Sequence, residues 1–434
     1  MPVSPRERRS RRAIAAALEA IEAVGQGRPL RLALSAALRG RPDLGPKERR
    51  HAARAVREVA RWLRLCDAAL GLARAPAAIA ADRALLRYLA WRVSVEGEGP
   101  TAAVRDLRLP GPRRPRALSD ADLTRVSEAL PVRGPEGGLR WRSDGAPVAP
   151  PRDPLVAMAL RQSVPDALAR RLLLSLGPEE AEACLSALNR DPRLTLRVNR
   201  GRAAREEVLA GLVAAGLRAD RGEGPDAVVV EDRAGLFDSD PFRRGLLEVQ
   251  DEGSQAVVEL CRPRPGQRWL DLCAGSGGKA LGLAALGARV TAWDASAARL
   301  AELPRRARRA GLRIEVADGP PGGEFDGVLV DAPCSGSGAL QREPDARWRI
   351  DDHAVSAFAA GQRTILDRAA GMVAPGGALV YATCSLFREE GEEVVEAFLR
   401  SRPGFRLEEA SRRWPHRSPG AGFYLARMRR ELRT

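Results

Sequence analysis

Two cysteines follow apolar, strand-like segments, in settings where a thiol could react. Cys334 lies in DAPCSGSG directly after FDGVLV, and Cys384 ends the segment ALVYATC. A thiolate that adds to C6 of a pyrimidine activates C5, which is otherwise a poor nucleophile; once C5 has taken a methyl group, a base removes its proton and elimination frees the enzyme. Asp331, three residues before Cys334, could assist by hydrogen bonding at N3. The thiol pair therefore indicates methylation of a pyrimidine at C5, without assigning which sulfur attacks.

A glycine-rich loop, LDLCAGSGGKA, follows another predicted strand. Gly275, Gly277 and Gly278 would let the backbone approach a ligand where the chain enters a helix whose N-terminus favours negative charge. As GxGxxA the loop fits a dinucleotide site, and Asp294 after the next strand would bind ribose hydroxyls of a nicotinamide or an adenosylmethionine cofactor. Asp318 ends a third strand, where adenine could lie. The alternative is a tight turn with capping carboxylates, but the thiol pair favours S-adenosylmethionine, because hydride transfer needs no thiols.

The predicted cofactor site extends along this loop and the strand ends. Its residues are Cys273, Ala274, Gly275, Ser276, Gly277, Gly278, Lys279, Asp294, Arg299, Asp318 and Asp331. Lys279 would contact either the cofactor carboxylate or Asp331, and a solvated lysine is the alternative. We expect no metal and no disulfide framework, because the six cysteines contain no CxxC pair and the three histidines share no ligand spacing. Cys66, Cys184 and Cys261 are expected to be buried and inert.

Composition points to a nucleic acid partner. The 434-residue chain carries a formal net charge of +15, which attracts a polyanion, RNA or DNA. Nearly all basic residues are arginine, which suits phosphate contacts, although high-GC coding would also explain the bias. Glu19 and Glu22 interrupt the Ala-rich N-terminal stretch, so we predict no membrane span and no signal peptide. We therefore expect a cytoplasmic protein.

The periodicity of apolar residues divides the chain into three predicted domains. Residues 1–145 have helical spacing, interrupted by the proline-rich LPGPRRPRALSDAD, where Ser119 is a candidate N-cap for a helix to Leu130. Residues 150–245 mix helices and strands as an α+β connector. Residues 246–434 alternate strands and helices, which is typical of a parallel sheet covered on both faces, with its site at the carboxyl ends of the strands.

Several motifs together resemble a known family. VQDEGSQ, LDLCAGSGGK, DAPCSGSG with REPDARW, and YATCSLFREEGEEVV are similar to successive motifs of the Nol/Nop/Sun RNA cytosine-C5 methyltransferases, over roughly residues 150–430. The helical region, with LGPKERRHAARAVREVARW, resembles the NusB-like RNA-binding domain of the bacterial 16S rRNA enzymes of RsmB type. The resemblance implies an all-α NusB-like domain, a small α+β connector and a Rossmann-like class I methyltransferase domain.

By this resemblance Cys384 is the nucleophile, Cys334 assists product release, S-adenosylmethionine is the cofactor and the partner is RNA, in particular 16S rRNA. The chain departs from the family pattern at Gly275, Ser276 and Ala280 and at Gly391, while both thiols and Asp331 are retained. We expect an active enzyme that is a monomer. The alternatives are a non-catalytic RNA-binding protein and an NAD-dependent oxidoreductase.

Three residues after the Pro-Cys motif complete the predictions. Arg342 and Arg347, in LQREPDARW, are expected to face RNA phosphates, with a surface salt bridge as the alternative. Trp348 is expected to pack in a core rather than to stack on a base.

Overall fold

The computed structural model describes residues 5–72, 83–105, 107, 119–143 and 145–432. They form two compact units. The first comprises the chain up to Asn189 together with Glu343–Ile350, and the second comprises Arg190–Arg342 and the chain from Asp351 onward. The predicted boundaries near residues 145 and 245 do not coincide with these units, and the division into three domains stays a prediction.

The first unit is mostly helical. Its helices are α1 (Pro5–Gly25), α2 (Leu30–Arg39), α3 (Pro46–Arg61), α4 (Leu63–Leu72), α5 (Arg83–Ala90), which continues as a π-helical turn at Trp91–Val95, α6 (Pro100–Arg105), α7 (Asp120–Ala129), α8 (Pro154–Arg161), α9 (Asp166–Leu176) and α10 (Pro178–Leu188). Strands β1 (Val132–Arg133) and β2 (Leu139–Arg140) form an antiparallel hairpin. On α3, Ala52, Ala55, Val56 and Val59 are buried, at the spacing that places side chains on one helix face.

The predicted N-cap is confirmed. The Ser119 hydroxyl accepts a hydrogen bond from the amide of Asp122, whose carboxylate accepts one from the amide of Ser119. This reciprocal pair satisfies two amide donors that the start of a helix would leave unbonded. The proline-rich segment that precedes it lies outside the described residues up to position 118.

The second unit contains two sheets. Its helices are α11 (Arg205–Ala214), α12 (Asp240–Arg243), α13 (Glu252–Cys261), α14 (Gly278–Ala285), α15 (Ala297–Leu300), α16 (Leu303–Ala310), α17 (Asp352–Ala370) and α18 (Glu392–Ser401). Its strands are β3 (Leu194–Val198), β4 (Ala219–Arg221), β5 (Ala227–Val230), β6 (Leu247–Val249), β7 (Arg268–Asp271), β8 (Arg289–Ala292), β9 (Ile314–Val316), β10 (Phe325–Asp331), β11 (Val373–Thr383), β12 (Phe405–Arg413) and β13 (Phe423–Arg430).

The smaller sheet has the order β4-β5-β3-β6 and is antiparallel. The larger has the order β12-β13-β11-β10-β7-β8-β9, in which β11, β10, β7, β8 and β9 are parallel. The parallel part was predicted. The prediction did not include β12 and β13, which extend the sheet in antiparallel pairing.

Alternating side chains of the parallel strands pack on opposite faces of the sheet. On β11, Val380 and Ala382 pack with α13 and α14, while Leu379 and Tyr381 pack with α17 and α18. Helices therefore cover both faces. The strand order reverses between β7 and β10, and in such sheets ligands bind outside the carboxyl ends of the strands at this reversal. None of the helices in the described part of the chain combines the length and the apolar character that a bilayer crossing requires.

Candidate active site

The glycine loop connects β7 to α14 at the strand-order reversal. Gly275 and Gly277 have φ of 54° and 80°, in the left-handed region that favours glycine. A Cβ atom on Gly277 would lie 2.3 Å from Cδ1 of Leu303, so the packing beneath the loop also excludes a side chain there. The loop therefore has no side chains at these two positions, and its backbone can approach a ligand as the sequence predicted.

A cavity of about 550 Å³ opens beside this loop. Eight of the predicted cofactor residues line it: Cys273, Ala274, Gly275, Ser276, Gly278, Lys279, Arg299 and Asp331. Of the other predicted residues, Gly277 belongs to the loop but is not in the cavity wall, and Asp294 and Asp318 are not in the wall either. Asp318 is exposed. Most of the predicted cofactor residues therefore lie around one cavity. That they bind the cofactor stays a prediction.

Asp271, the last residue of β7, also lines the cavity, and the sequence analysis missed it. Its side chain is buried, and neither carboxylate oxygen has a hydrogen-bond partner among the described residues. Burial raises the pKa of Asp271 to about 7, because an ionised carboxylate loses its hydration. A signal was present in the sequence: an acidic residue inside the otherwise apolar end of a strand. Such a carboxylate is suited to bind a cationic group.

Lys279 and Asp331 form a close ion pair. The Lys279 Nζ atom lies 2.5 Å from Oδ2 of Asp331 and 3.4 Å from the Ser254 hydroxyl. Burial opposes the charge of the ammonium group, but Asp331 and Asp271 outweigh it and raise the pKa of Lys279. Of the two predicted contacts for Lys279, the structure contains the one to Asp331. The lysine stays charged and pairs with Asp331 through Oδ2.

Asp294 braces the glycine loop from the end of β8. Its Oδ2 accepts a hydrogen bond from the Gly275 amide at 2.9 Å and lies 3.2 Å from Arg299 Nη1, while Oδ1 accepts one from the Ser296 amide at 2.9 Å. These contacts correspond to the capping alternative. Each carboxylate oxygen has two lone pairs, so a ribose hydroxyl could still bind to Asp294.

The two candidate catalytic cysteines lie side by side. Cys334 follows β10 and Cys384 follows β11, and their Sγ atoms are 3.3 Å apart. The two strands are paired in parallel. The Ala332 amide donates a hydrogen bond to the Ala382 carbonyl, so the pairing continues to two residues before each cysteine. The contact with Cys384, reinforced by burial, raises the pKa of Cys334 well above its usual value. Cys334 can thus remain a thiol and donate its proton to the Cys384 sulfur.

A buried carboxylate holds both cysteine segments. Glu390 is fully buried, and its carboxylate accepts hydrogen bonds from Ser335, Ser385 and Gln362. Its carbonyl oxygen accepts a hydrogen bond from the Tyr381 hydroxyl at 2.8 Å. Glu390 belongs to the motif YATCSLFREEGEEVV, but the sequence alone predicted no role for it.

The three cysteines outside the site, Cys66, Cys184 and Cys261, are buried as predicted. Burial raises the pKa of Cys66 and Cys261 far above the usual range, so these thiols are inert at neutral pH. In the part of the chain that the structure describes, no group of three or more His, Cys, Asp or Glu residues could hold a metal ion.

The structure contradicts the prediction for Arg347, one of the two arginines after the Pro-Cys motif. Arg347 is fully buried in the first unit, where it donates to the carbonyls of Arg61 and Ser163 and to Asn189. Arg342 forms the salt bridge that was the alternative, with its Nη1 3.0 Å from Oδ2 of Asp251, and its contact with RNA stays a prediction. Their charges thus have contacts within the protein, which the local sequence could not reveal because the partners are distant in the chain.

Trp348, expected in a core, is half-buried and donates its indole N–H to the Ala60 carbonyl at 2.7 Å.

Comparison with known proteins identifies two family domains. The family model described as 16S rRNA methyltransferase RsmB/F matches residues 258–429, and the RsmF/B-like ferredoxin-like domain matches residues 164–235. The second match covers the antiparallel sheet as far as β5.

Curated relatives agree with these matches. The ribosomal RNA small subunit methyltransferase B of Klebsiella pneumoniae subsp. pneumoniae is 35% identical over 269 residues, which cover 58% of this chain and 62% of the relative. The enzyme of the same name from an Enterobacter species is 34% identical over 285 residues, which cover 62% of this chain and 66% of the relative. The matched part thus spans less than two thirds of these relatives.

Among solved structures, that of PH0851 is 26% identical, has a TM-score of 0.75, and covers 96% of this chain and 98% of its own. A methyltransferase homologue from Pyrococcus horikoshii, at 24% identity and a TM-score of 0.57, covers 64% of this chain and 99% of its own, and it shares the fold. The glycine loop, the paired cysteines and both domain matches lie in one continuous part of the sequence. The comparisons therefore support a methyltransferase of RsmB type, in which residues 164–235 and 258–429 match two domains of the RsmB/F family.

Proposed function

We propose that the protein methylates C5 of cytosine in RNA, specifically 16S rRNA, with S-adenosylmethionine as methyl donor. The observation that carries this proposal is the pair of sulfur atoms 3.3 Å apart at the ends of the neighbouring strands β10 and β11, next to Asp331, which ends β10 and pairs with Lys279. The names of the curated relatives support ribosomal RNA as the substrate. An oxidoreductase would need no such thiol pair.

The cavity wall fits S-adenosylmethionine. The ligand carries an ammonium and a sulfonium group, for which the unpartnered Asp271 carboxylate provides a negative charge. The carboxylate of the ligand would lie beside the glycine loop at the start of α14, because helix N-termini favour anions. Asp294 would bind ribose hydroxyls and Lys279 would neutralise the acidic wall. When bound, the cofactor supplies an electrophilic methyl group.

The protein's own groups activate the cytosine. The Cys384 thiolate adds to C6, and Asp331, in its protonated form, donates its proton to N3, where the negative charge created by the addition collects. Methylation at C5 leaves a proton on that carbon. Once a base has removed this proton, the electron pair forms the C5–C6 double bond and expels Cys384. The Cys334 thiol, adjacent to the leaving sulfur, can protonate it and so assist release.

Sequencing of rRNA after bisulfite treatment tests this function. A strain that lacks the protein should lose one 5-methylcytosine in 16S rRNA, and the purified protein should restore that mark in vitro with S-adenosylmethionine. Unchanged marks in the deletion strain would exclude the rRNA substrate. If calorimetry detects NAD binding but no S-adenosylmethionine binding, the oxidoreductase alternative is correct.

The helices of the first unit would serve as the NusB-like RNA-binding domain. Four arginines on and beside α2 and α3 support this role, because they are exposed and have no side-chain partner among the described residues: Arg28, Arg31, Arg39 and Arg50. We further expect a monomer in the cytoplasm, where the free cysteines remain reduced. Sedimentation equilibrium and cell fractionation test these expectations.

A further inference from the structure

An exposed phenylalanine lies on the wall of the catalytic cavity. Phe237 is 47% exposed, although it is a large apolar side chain. The cavity runs from Asp331 and the glycine loop to Phe237, Phe242 and Arg233 beside the smaller sheet. Exposure of an aromatic ring to water carries a cost, so a ring that lines a functional cavity suggests a ligand that covers it.

The Phe237 ring packs against a second aromatic ring. Phe242 contacts it edge to face, with centroids 4.9 Å apart and an interplanar angle of 80°. The guanidinium of Arg309 lies 3.8 Å from the Phe242 ring centroid, and Glu248 holds Arg309 by an ion pair. Leu236, which directly precedes Phe237 in the chain, is fully buried. Phe237 is thus packed against a series of side chains that contact one another, from Phe242 through Arg309 to Glu248.

The charge beside the ring favours an anionic ligand. Six arginines and one lysine line the cavity, against four acidic residues. Arg306 and Arg309 pair with Glu248, and the other lining cations except Arg233 also have carboxylate partners. Arg233 has no such partner within the described ranges. Its guanidinium lies 5.9 Å from the Phe237 ring centroid.

An aromatic face beside a cation that lacks a carboxylate is the combination that binds one nucleotide of a single strand: the base stacks on the ring and the phosphate contacts the arginine. We infer that Phe237 and Arg233 form a subsite for an unpaired nucleotide that flanks the target cytosine. This inference rests on the proposed function and adds to it a single-stranded, base-stacked substrate.

Fluorescence of RNA oligonucleotides tests the inference without requiring catalysis. The probe is a mixed-sequence single-stranded RNA with a central cytosine and 2-aminopurine at one flanking position at a time. Binding to wild-type protein should quench one position. Phe237→Ala should abolish that quenching and weaken RNA binding roughly 5- to 100-fold, the range for loss of one stacked base, whereas Phe237→Trp should preserve both. Phe358→Ala is the matched control, because Phe358 is an exposed phenylalanine outside this cavity.

An abasic residue at the quenched position separates base stacking from phosphate contact. It should weaken wild-type binding and abolish the difference between wild type and Phe237→Ala, while Arg233→Gln should still reduce the salt dependence by about one phosphate contact. Equal RNA affinity of Phe237→Ala and Phe358→Ala would overturn the subsite. Weaker binding of S-adenosylmethionine, rather than RNA, by Phe237→Ala would reassign the ring to the cofactor. Quenching without methylation would refute the proposed function but leave the subsite intact.

Discussion

Glu390 and Ser335 are joined by two hydrogen bonds: the Ser335 amide donates to Oε1 at 2.8 Å, and its hydroxyl donates to Oε2 at 2.5 Å. The Ser385 hydroxyl donates to the same Oε2 at 2.6 Å. Ser335 directly follows Cys334, and Ser385 directly follows Cys384. One buried carboxylate therefore sets the separation of the two sulfur atoms.

Glu390→Gln should slow catalysis without weakening cofactor binding. The amide replaces one acceptor oxygen with a donor that faces other donors, so the two cysteine segments should shift apart. Misplacement of reacting groups by about 1 Å can cost roughly 100-fold in rate, so we expect a 10- to 100-fold lower kcat. The measurement is kcat together with calorimetry for S-adenosylmethionine. The exposed Glu396→Gln is the control, and an unchanged kcat would show that Glu390 is only structural.

Substitution of the two cysteines should stop the reaction at different stages. Cys384→Ala should abolish methylation and leave no covalent RNA complex, because the bond to C6 never forms. Cys334→Ala should add to the ring, complete methyl transfer and then stall as an adduct that survives denaturant on a gel. An adduct with Cys384→Ala instead would reverse the two roles. Full turnover by both variants would show that the cysteines serve only in packing.

Binding of S-adenosylmethionine should depend on the ionisation of Asp271. Its pKa of about 7 means that the carboxyl group is largely protonated below pH 7 and must lose the proton to bind a cation. Affinity should therefore fall as pH falls below about 7 and level off above it. Calorimetry in buffers of different ionisation enthalpy would detect the released proton. Asp271→Asn should bind weakly at every pH; a retained pH dependence in this variant would assign the proton to another group.

Ionisation of Asp271 should lower the stability of the folded protein as pH rises, although it should strengthen cofactor binding. A folded-state pKa above the unfolded value means that stability is fully present below about pH 4 and is lost as pH rises through 7. A shift of about three pKa units corresponds to at most roughly 4 kcal/mol. Without ligand, Asp271→Asn should be more stable than wild type at pH 8, as measured by urea unfolding. Equal stability of the two proteins at pH 8 would contradict the burial of an ionised carboxylate.

Replacement of the four exposed arginines of the first unit should weaken RNA binding in a salt-dependent way. Each phosphate contact with single-stranded RNA contributes about 0.7 to the slope of log K against log salt, so Arg-to-Gln changes at Arg28, Arg31, Arg39 and Arg50 should reduce it by up to about 3. Arg125→Gln, which loses a cation already paired with Asp122, is the control. An unchanged slope would make this unit a scaffold.

The sequence predicted those features that depend on local pattern. Ser119 and Asp122 have the spacing of a capping box, and the apolar segments that end at Asp331 and Cys384 have the composition of buried parallel strands. Strand β12 was missed because FRLEEASRR is a mostly exposed edge strand with no clean alternation.

Features that depend on distant contacts were not predictable in this way. Arg347 lies in a polar motif that looks like a phosphate site, but its partner Asn189 is 158 residues away. Asp271 gave a signal in the sequence, as an acidic residue in an apolar strand end, but its burial without a hydrogen-bond partner is visible only in the folded chain.

The position of Glu343–Ile350 within the first unit has a consequence for synthesis of the protein on the ribosome. The chain passes between the two units after Asn189, after Arg342 and again after Ile350. Helix α3 and the turn before α9 supply the carbonyls to which Arg347 donates hydrogen bonds. These carbonyls have no arginine to bind until more than 340 residues have been translated. The N-terminal unit therefore cannot complete its folding first during elongation, and the growing chain exposes an unfinished helical surface on which chaperones could act.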